Sequence, residues 1–171
     1  MTDPHVLEVT VHVAAPPQTV FAYFTDPARY IQWMGSTADV QAVPGGSYRV
    51  GISDGVEAAG EFVEVDPPRR LVFTWGWTHE QAVPPGSTRV VVTFTEENGG
   101  TRVVLSHYDL PTDQQRDHHR AGWQTYLDRL ATRAASGDPG PDPNAQAAND
   151  HGGRAENART RSVPPQLRVQ R

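Results

Sequence analysis

The sequence predicts an α+β fold: a curved antiparallel sheet wrapped around one long C-terminal helix, with two short helices after the first strand. Three observations predict it. Strand-like runs recur six times between about residues 38 and 108, each bounded by turn-forming residues. A capped stretch, about 112–135, places His119, Gly122, Trp123, Tyr126 and Leu130 on one helical face. Two short proline-punctuated segments of helical period separate the first strand from the other six. Such a meander exposes one apolar face, and only the long helix has the length to cover it.

Each element has its own local cause. Val6 to Val13 alternates as a strand does, and Ala15-Pro16-Pro17 breaks it. Val20, Phe21 and Phe24 follow at helical spacing up to Thr25-Asp26-Pro27. Asp26 can cap a second short helix with Pro27 at its first position and Tyr30, Ile31, Trp33 and Met34 as its apolar face. After Gly35 come strands at about 38–43, 46–53, 56–65, 70–77, 88–96 and 101–108. Gly45-Gly46, Asp54-Gly55, Asp66-Pro67-Pro68, Pro84-Pro85-Gly86 and Asn98-Gly99-Gly100 separate them, all of them turn chemistry. Thr112 and Gln115 match a capping box that opens the long helix.

Composition narrows the function classes. The chain has 171 residues, no cysteine and an apolar fraction of 37%. Disulfides, thiolate nucleophiles and cysteine metal sites are excluded. No apolar run approaches the roughly 20 residues that span a bilayer, and MTDPHVLEV does not read as a signal peptide. A soluble cytoplasmic protein with no membrane association is expected. The net charge is −5, and all fifteen basic residues are arginines with no long positive run, which argues against a nucleic-acid partner.

The chain divides near Gly137. Residues 1–136 carry a net charge of −6, and 137–171 carry +1. The second segment is rich in Pro, Gly, Asn, Ala and Arg, with few branched apolar residues, and is expected to be a disordered tail.

Within 1–136 several pieces occur in a telling order: APPQTVFAYFTDP, YIQWMG, PGGSYRVGISDG, GEFVEVDPPRRLVFTW, LSHYDLP and HHRAGWQTYLDRL. In this combination the chain resembles the START-like (SRPBCC, helix-grip) superfamily. Within that superfamily it is similar to the bacterial proteins related to the C-terminal domain of Aha1, the activator of Hsp90 ATPase. The resemblance covers roughly residues 6–136. The chain departs from the family in its long tail and at Met34, where many relatives carry a second aromatic.

The resemblance implies a cavity between sheet and long helix that takes a small hydrophobic or amphipathic molecule. The residues are compatible with one. Leu71, Phe73, Trp75 and Trp77 fall on one strand face, as do Val90, Val92 and Phe94, and then Val103, Leu105 and His107. The candidate ligand-binding residues are Trp33, Met34, Tyr48, Phe73, Trp75, Trp77, His107, His119, Trp123 and Tyr126. Core packing is the competing reading for each of them.

His107 and His119 are the candidates for proton transfer, with a satisfied structural histidine as the alternative for each. His118 and His119 point about 100° apart on a helix, a poor chelating pair, and neither a metal nor a cofactor is expected. Glu61 and Glu64 are expected on opposite strand faces, while Glu57 and Glu61 share one with Arg49 opposite. No phosphate loop precedes a helix, and no nucleophile elbow surrounds a serine. Three functions stay open. The first is a ligand-binding module. The second is an enzyme of cyclase/aromatase, dehydratase or hydrolase kind in the same cavity. The third is a cochaperone-like protein with a protein partner.

Overall fold

The computed structural model describes residues 3, 5–135 and 142–144. Ten elements follow one another: β1 (Leu7–Val13), α1 (Pro17–Thr25), α2 (Pro27–Tyr30), β2 (Thr37–Val40), β3 (Ser47–Ser53), β4 (Val56–Asp66), β5 (Arg70–Trp75), β6 (Thr88–Glu97), β7 (Gly100–Tyr108) and α3 (Asp113–Ala134). The strands form one seven-stranded sheet in the order β1-β7-β6-β5-β4-β3-β2, with every pair antiparallel. From β2 to β7 each strand pairs with its sequence neighbours, joined by short turns except for the longer β5–β6 connection, 76–87. The first strand returns to the far edge against β7, so α1 and α2 bridge the two ends of the sheet. This is the helix-grip architecture. Among the described residues, no helix is long and apolar enough to cross a membrane.

The concave face carries the core. Leu71, Phe73, Trp75, Val90, Val92, Phe94, Val103, Leu105 and His107 are all buried on it, in the alternation the strands require. The long helix lies along β1 and touches α1. Its buried residues Arg116, His119, Trp123, Tyr126, Leu127 and Leu130 recur at three and four. Phe24 of α1 joins the layers, with ring centroids 5.4 Å from Phe94, 4.9 Å from Trp33 and 6.0 Å from Tyr30. Pairs of this kind add about 0.5–1.5 kcal/mol each beyond area burial.

The caps form as local chemistry requires, with one exception. Asp26 accepts from the Ala28 amide at 3.0 Å to start α2. Thr112 accepts from the Gln115 amide at 3.1 Å to start α3. The reciprocal half of the predicted capping box is not made. The Gln115 side chain donates instead to Glu80 at 2.7 Å, because a carboxylate from the β5–β6 connection lies within reach.

Three strand readings are corrected. The predicted strand 38–43 ends at Val40, where the Val43 amide turns back to the Gln41 carbonyl at 2.8 Å. The predicted strand 70–77 ends at Trp75, and Trp77 keeps only a single bridge to Ala58. Gly76 allows this turn, since a Cβ there would lie 1.8 Å from the Pro84 carbonyl oxygen. Glu61 and Glu64 are also not on opposite faces. Phe62 pairs with Phe73 but Glu64 pairs with Val72, so a bulge at Val63 inserts one residue and returns Glu64 to the outer face. Arg49 pairs with Glu57 at 2.6 Å, an exposed ion pair worth little to stability.

The segment 137–171 lies outside the described residues except for 142–144. There Asp142 is buried.

The Phe24 junction gives a direct test of this packing. Phe24→Ala is expected to cost about 3–5 kcal/mol in urea unfolding, because its ring is fully enclosed between helices and sheet. Val63→Ala, at the half-exposed bulge, is expected to stay within about 0.5 kcal/mol. Comparable losses from both would contradict this core.

Candidate functional site

The wall of the site begins on α3. Helical spacing sets His119, Trp123 and Tyr126 on the face toward the sheet, with Gly122 between them. A Cβ added at Gly122 would meet no atom within 4 Å, so the helix leaves bare backbone over open space. That space is a cavity of about 550 Å³ between α3 and the sheet. Trp75 of β5, Trp77, His79 and Glu80 of the following loop, and Met34 after α2 enclose it further. The tip of the β3–β4 hairpin adds Ile52, Ser53 and Val56, and Pro143 and Asn144 reach it from the C-terminal segment.

Two hydrogen-bonded chains hold the aromatic walls. The Trp123 indole N–H donates to His107 Nδ1 at 3.1 Å. The Thr88 hydroxyl donates to the Trp75 carbonyl at 2.7 Å, so its oxygen accepts from His107 Nε2–H at 2.8 Å. His107 is therefore the neutral Nε2–H tautomer with both nitrogens engaged. On the other side, Trp77 N–H donates to His119 Nε2 at 2.9 Å, and His119 Nδ1–H donates to the Gln115 carbonyl at 2.7 Å. His119 is the opposite tautomer, again with both nitrogens engaged. Burial pushes His107 down from 6.5 to about 3, helped by the adjacent His119. Burial also lowers His119, against the Gln115 hydrogen bond that raises it.

One donor is left over. Trp75 is almost fully enclosed, and its indole N–H has no hydrogen-bond partner among the described residues. Its ring stands between the other two walls, with centroids 5.0 Å from Trp123 and 5.3 Å from Trp77. An unsatisfied buried donor costs about 1–3 kcal/mol.

The far end of the cavity is polar. The Tyr126 hydroxyl donates to the Asp142 carboxylate (3.1 and 3.2 Å) and accepts from the Asn144 side-chain amide at 2.9 Å. The Gly35 amide donates to Asp142 Oδ2 at 2.8 Å. Burial is the main cause that pushes the Tyr126 hydroxyl well above its ordinary value.

Of the residues singled out from sequence, Met34, Trp75, Trp77, His119, Trp123 and Tyr126 meet at the cavity. The other four lie behind it. Trp33 stacks on Tyr30 at 4.9 Å and donates to the Tyr23 carbonyl. Tyr48 stacks on Phe73 at 4.2 Å and shares a 2.5 Å hydrogen bond with Tyr30. His107 stands behind Trp123 as its acceptor. The sequence reading missed Ile52 and Val56, which the alternation around Asp54-Gly55 could have disclosed. It also missed His79 and Glu80, in a loop without periodicity, and Pro143–Asn144. Among the described residues, no three His, Asp or Glu side chains are grouped to hold a metal ion.

A family model described as "Activator of Hsp90 ATPase homolog 1-like protein" matches residues 14–135. No curated protein sequence matches the chain. Among solved structures, the AHSA1-like protein RHE_CH02687 from Rhizobium etli is 45% identical, with a TM-score of 0.66 over 81% of this chain and 86% of that one. DynU16, a protein of the dynemicin biosynthetic locus, is 29% identical with a TM-score of 0.70 over 81% of this chain but only 49% of that one. An HSP90 activator from Plasmodium falciparum is 25% identical, with a TM-score of 0.61 over 74% and 93%.

The histidine geometry sets a pH dependence of stability. The unfolded chain takes up a proton on His107 near 6.5, and the folded chain only near 3. The unfolded state thus holds more protons in that window, so stability falls as pH falls. The melting temperature is expected to drop steadily from pH 7 to 4. His107→Gln should melt lower at pH 7 yet show a shallower slope, with His119 supplying the remainder. An unchanged slope would mean that His107 is not held neutral.

Proposed function

The chain belongs to the activator of Hsp90 ATPase homolog 1-like family, and from that premise we propose that it is a cytoplasmic binding protein for a small amphipathic molecule held between the sheet and α3. The observation that carries this reading is the cavity of about 550 Å³ walled by the indoles of Trp75, Trp77 and Trp123. The volume falls in the range of small-molecule sites. Indole faces supply apolar contact to such a molecule.

The polar chemistry favours holding over turnover. A general base needs an available lone pair near neutral pH. Both imidazole acceptors already receive an indole N–H, and burial keeps both rings neutral. To act as a base, either histidine would have to give up the bond that fixes the cavity wall.

Titration with the neutral fluorophore N-phenyl-1-naphthylamine tests the reading. Saturable binding with energy transfer from tryptophan is expected. Gly122→Phe, which fills the bare stretch of α3, should weaken binding at least roughly tenfold while the protein stays folded. Binding unaffected by Gly122→Phe would place the probe elsewhere. Stimulation of an Hsp90-type ATPase by a chain that binds no probe would favour the cochaperone function instead.

A further inference from the structure

The polar end of the cavity has the form of a receptor for a carboxylate, and the chain's own Asp142 sits in it. Gly35 N–H and the Tyr126 hydroxyl come from different elements and converge on one carboxylate group. Asp142 is only 7% exposed, a depth at which a carboxylate needs such partners. Neither donor comes from the segment that carries Asp142. Gly35 is set by its own backbone, with φ +74° and a Cβ position that would lie 2.6 Å from the Gly51 carbonyl oxygen. Tyr126 is set by its place in α3. The Arg129 guanidinium, one turn further along α3, adds a positive field at the Tyr126 hydroxyl.

Among the described residues, Asp142 accepts a third bond from the amide of Asn144, two residues on, which is a turn within the segment rather than a tie to the core. Asn144 adds one side-chain bond to Tyr126. Pro143 and Asn144 then stand at the cavity wall, beside Tyr126 and Met34, the neighbour of Gly35. Tyr126 thus belongs both to the receptor and to the wall of the apolar space.

We propose that Gly35 N–H and Tyr126 O–H form a carboxylate subsite at one end of the cavity, that Asp142 occupies it in place of a ligand, and that the ligand is an apolar carboxylic acid which displaces Asp142. This deepens the binding function proposed above and rests on it. The body of such an acid lies against Trp75, Trp123 and Met34 while its carboxylate takes the two donors. Asp142, tethered nearby, competes with it at high effective concentration. The apparent affinity for the acid is thereby reduced by the fraction of molecules in which the subsite is free.

The test compares cis-parinaric acid with its methyl ester, which has the same body without the charge, on the full-length chain by fluorescence titration. Asp142→Ala is expected to bind the acid roughly tenfold more tightly than the unmodified chain, with the ester changed less than about twofold. Adding Tyr126→Phe to Asp142→Ala should abolish the gain. Equal gains for acid and ester would overturn the subsite and leave the segment a steric stopper. So would an acid affinity that is unchanged or lower. A second measurement needs no variant: saturating acid, but not ester, should shift the Gly35 amide resonance in a ¹⁵N–¹H spectrum of the unmodified chain. Absence of that shift in the acid-bound chain overturns the proposal as well. If acid, ester and the neutral fluorophore all fail to bind, the cavity function falls and the subsite with it. If ester or fluorophore binds without any Asp142 dependence for the acid, only the subsite falls.

Discussion

Two bonds from indole to imidazole carry the site. Trp123 reaches from the helix to His107 on β7, and Trp77 reaches from the β5–β6 connection to His119 on the helix. Each crosses between the sheet side and α3, and each fixes the plane of a large ring. The imidazoles can serve only while neutral, because an imidazolium has no lone pair to offer. Burial enforces neutrality, and the second nitrogen of each ring is committed to Thr88 or to the Gln115 carbonyl. A satisfied buried network of this kind is rigid because no member can move without stranding another.

That commitment separates wall from core. Tyr30, Trp33, Tyr48 and Phe73 pack among themselves and give the sheet a solid backing. Trp75 stands at the boundary, with Tyr48 behind it and Trp77 and Trp123 beside it. Among the described residues, its N–H is the one buried side-chain polar atom without a hydrogen-bond partner. The outer face of the sheet shows ordinary surface chemistry by comparison, with exposed ion pairs such as Arg49–Glu57 and Arg70–Glu64.

Much of this was legible in the sequence, for definite reasons. Alternation and turn residues disclose β2 through β7, and three-four spacing discloses the helix face bearing His119, Trp123 and Tyr126. What escaped were features decided by a distant partner. Gln115 abandons its capping role because Glu80 of another element is closer to hand, and no local pattern announces that. The bulge at Val63 flips Glu64 through a backbone choice that a periodicity count passes over. Whether an inward aromatic stands at the cavity wall or behind it depends on depth and rotamer, which is why Trp77 and Trp33 looked alike. Asp142 escaped most completely. Its two distant donors lie 107 and 16 residues back in the chain, and composition speaks for segments, not for the partners one carboxylate finds.

The three clustered indoles also give the molecule an optical character of its own. With ring centroids about 5 Å apart and planes inclined at 53° and 80°, the electronic transitions of Trp75, Trp77 and Trp123 couple. Coupled chromophores held in a fixed chiral arrangement produce paired bands of opposite sign in ultraviolet circular dichroism. The sign and size of that couplet depend on the angles between rings. A turn of any one indole is therefore written into the spectrum without a label, a crystal or a substrate.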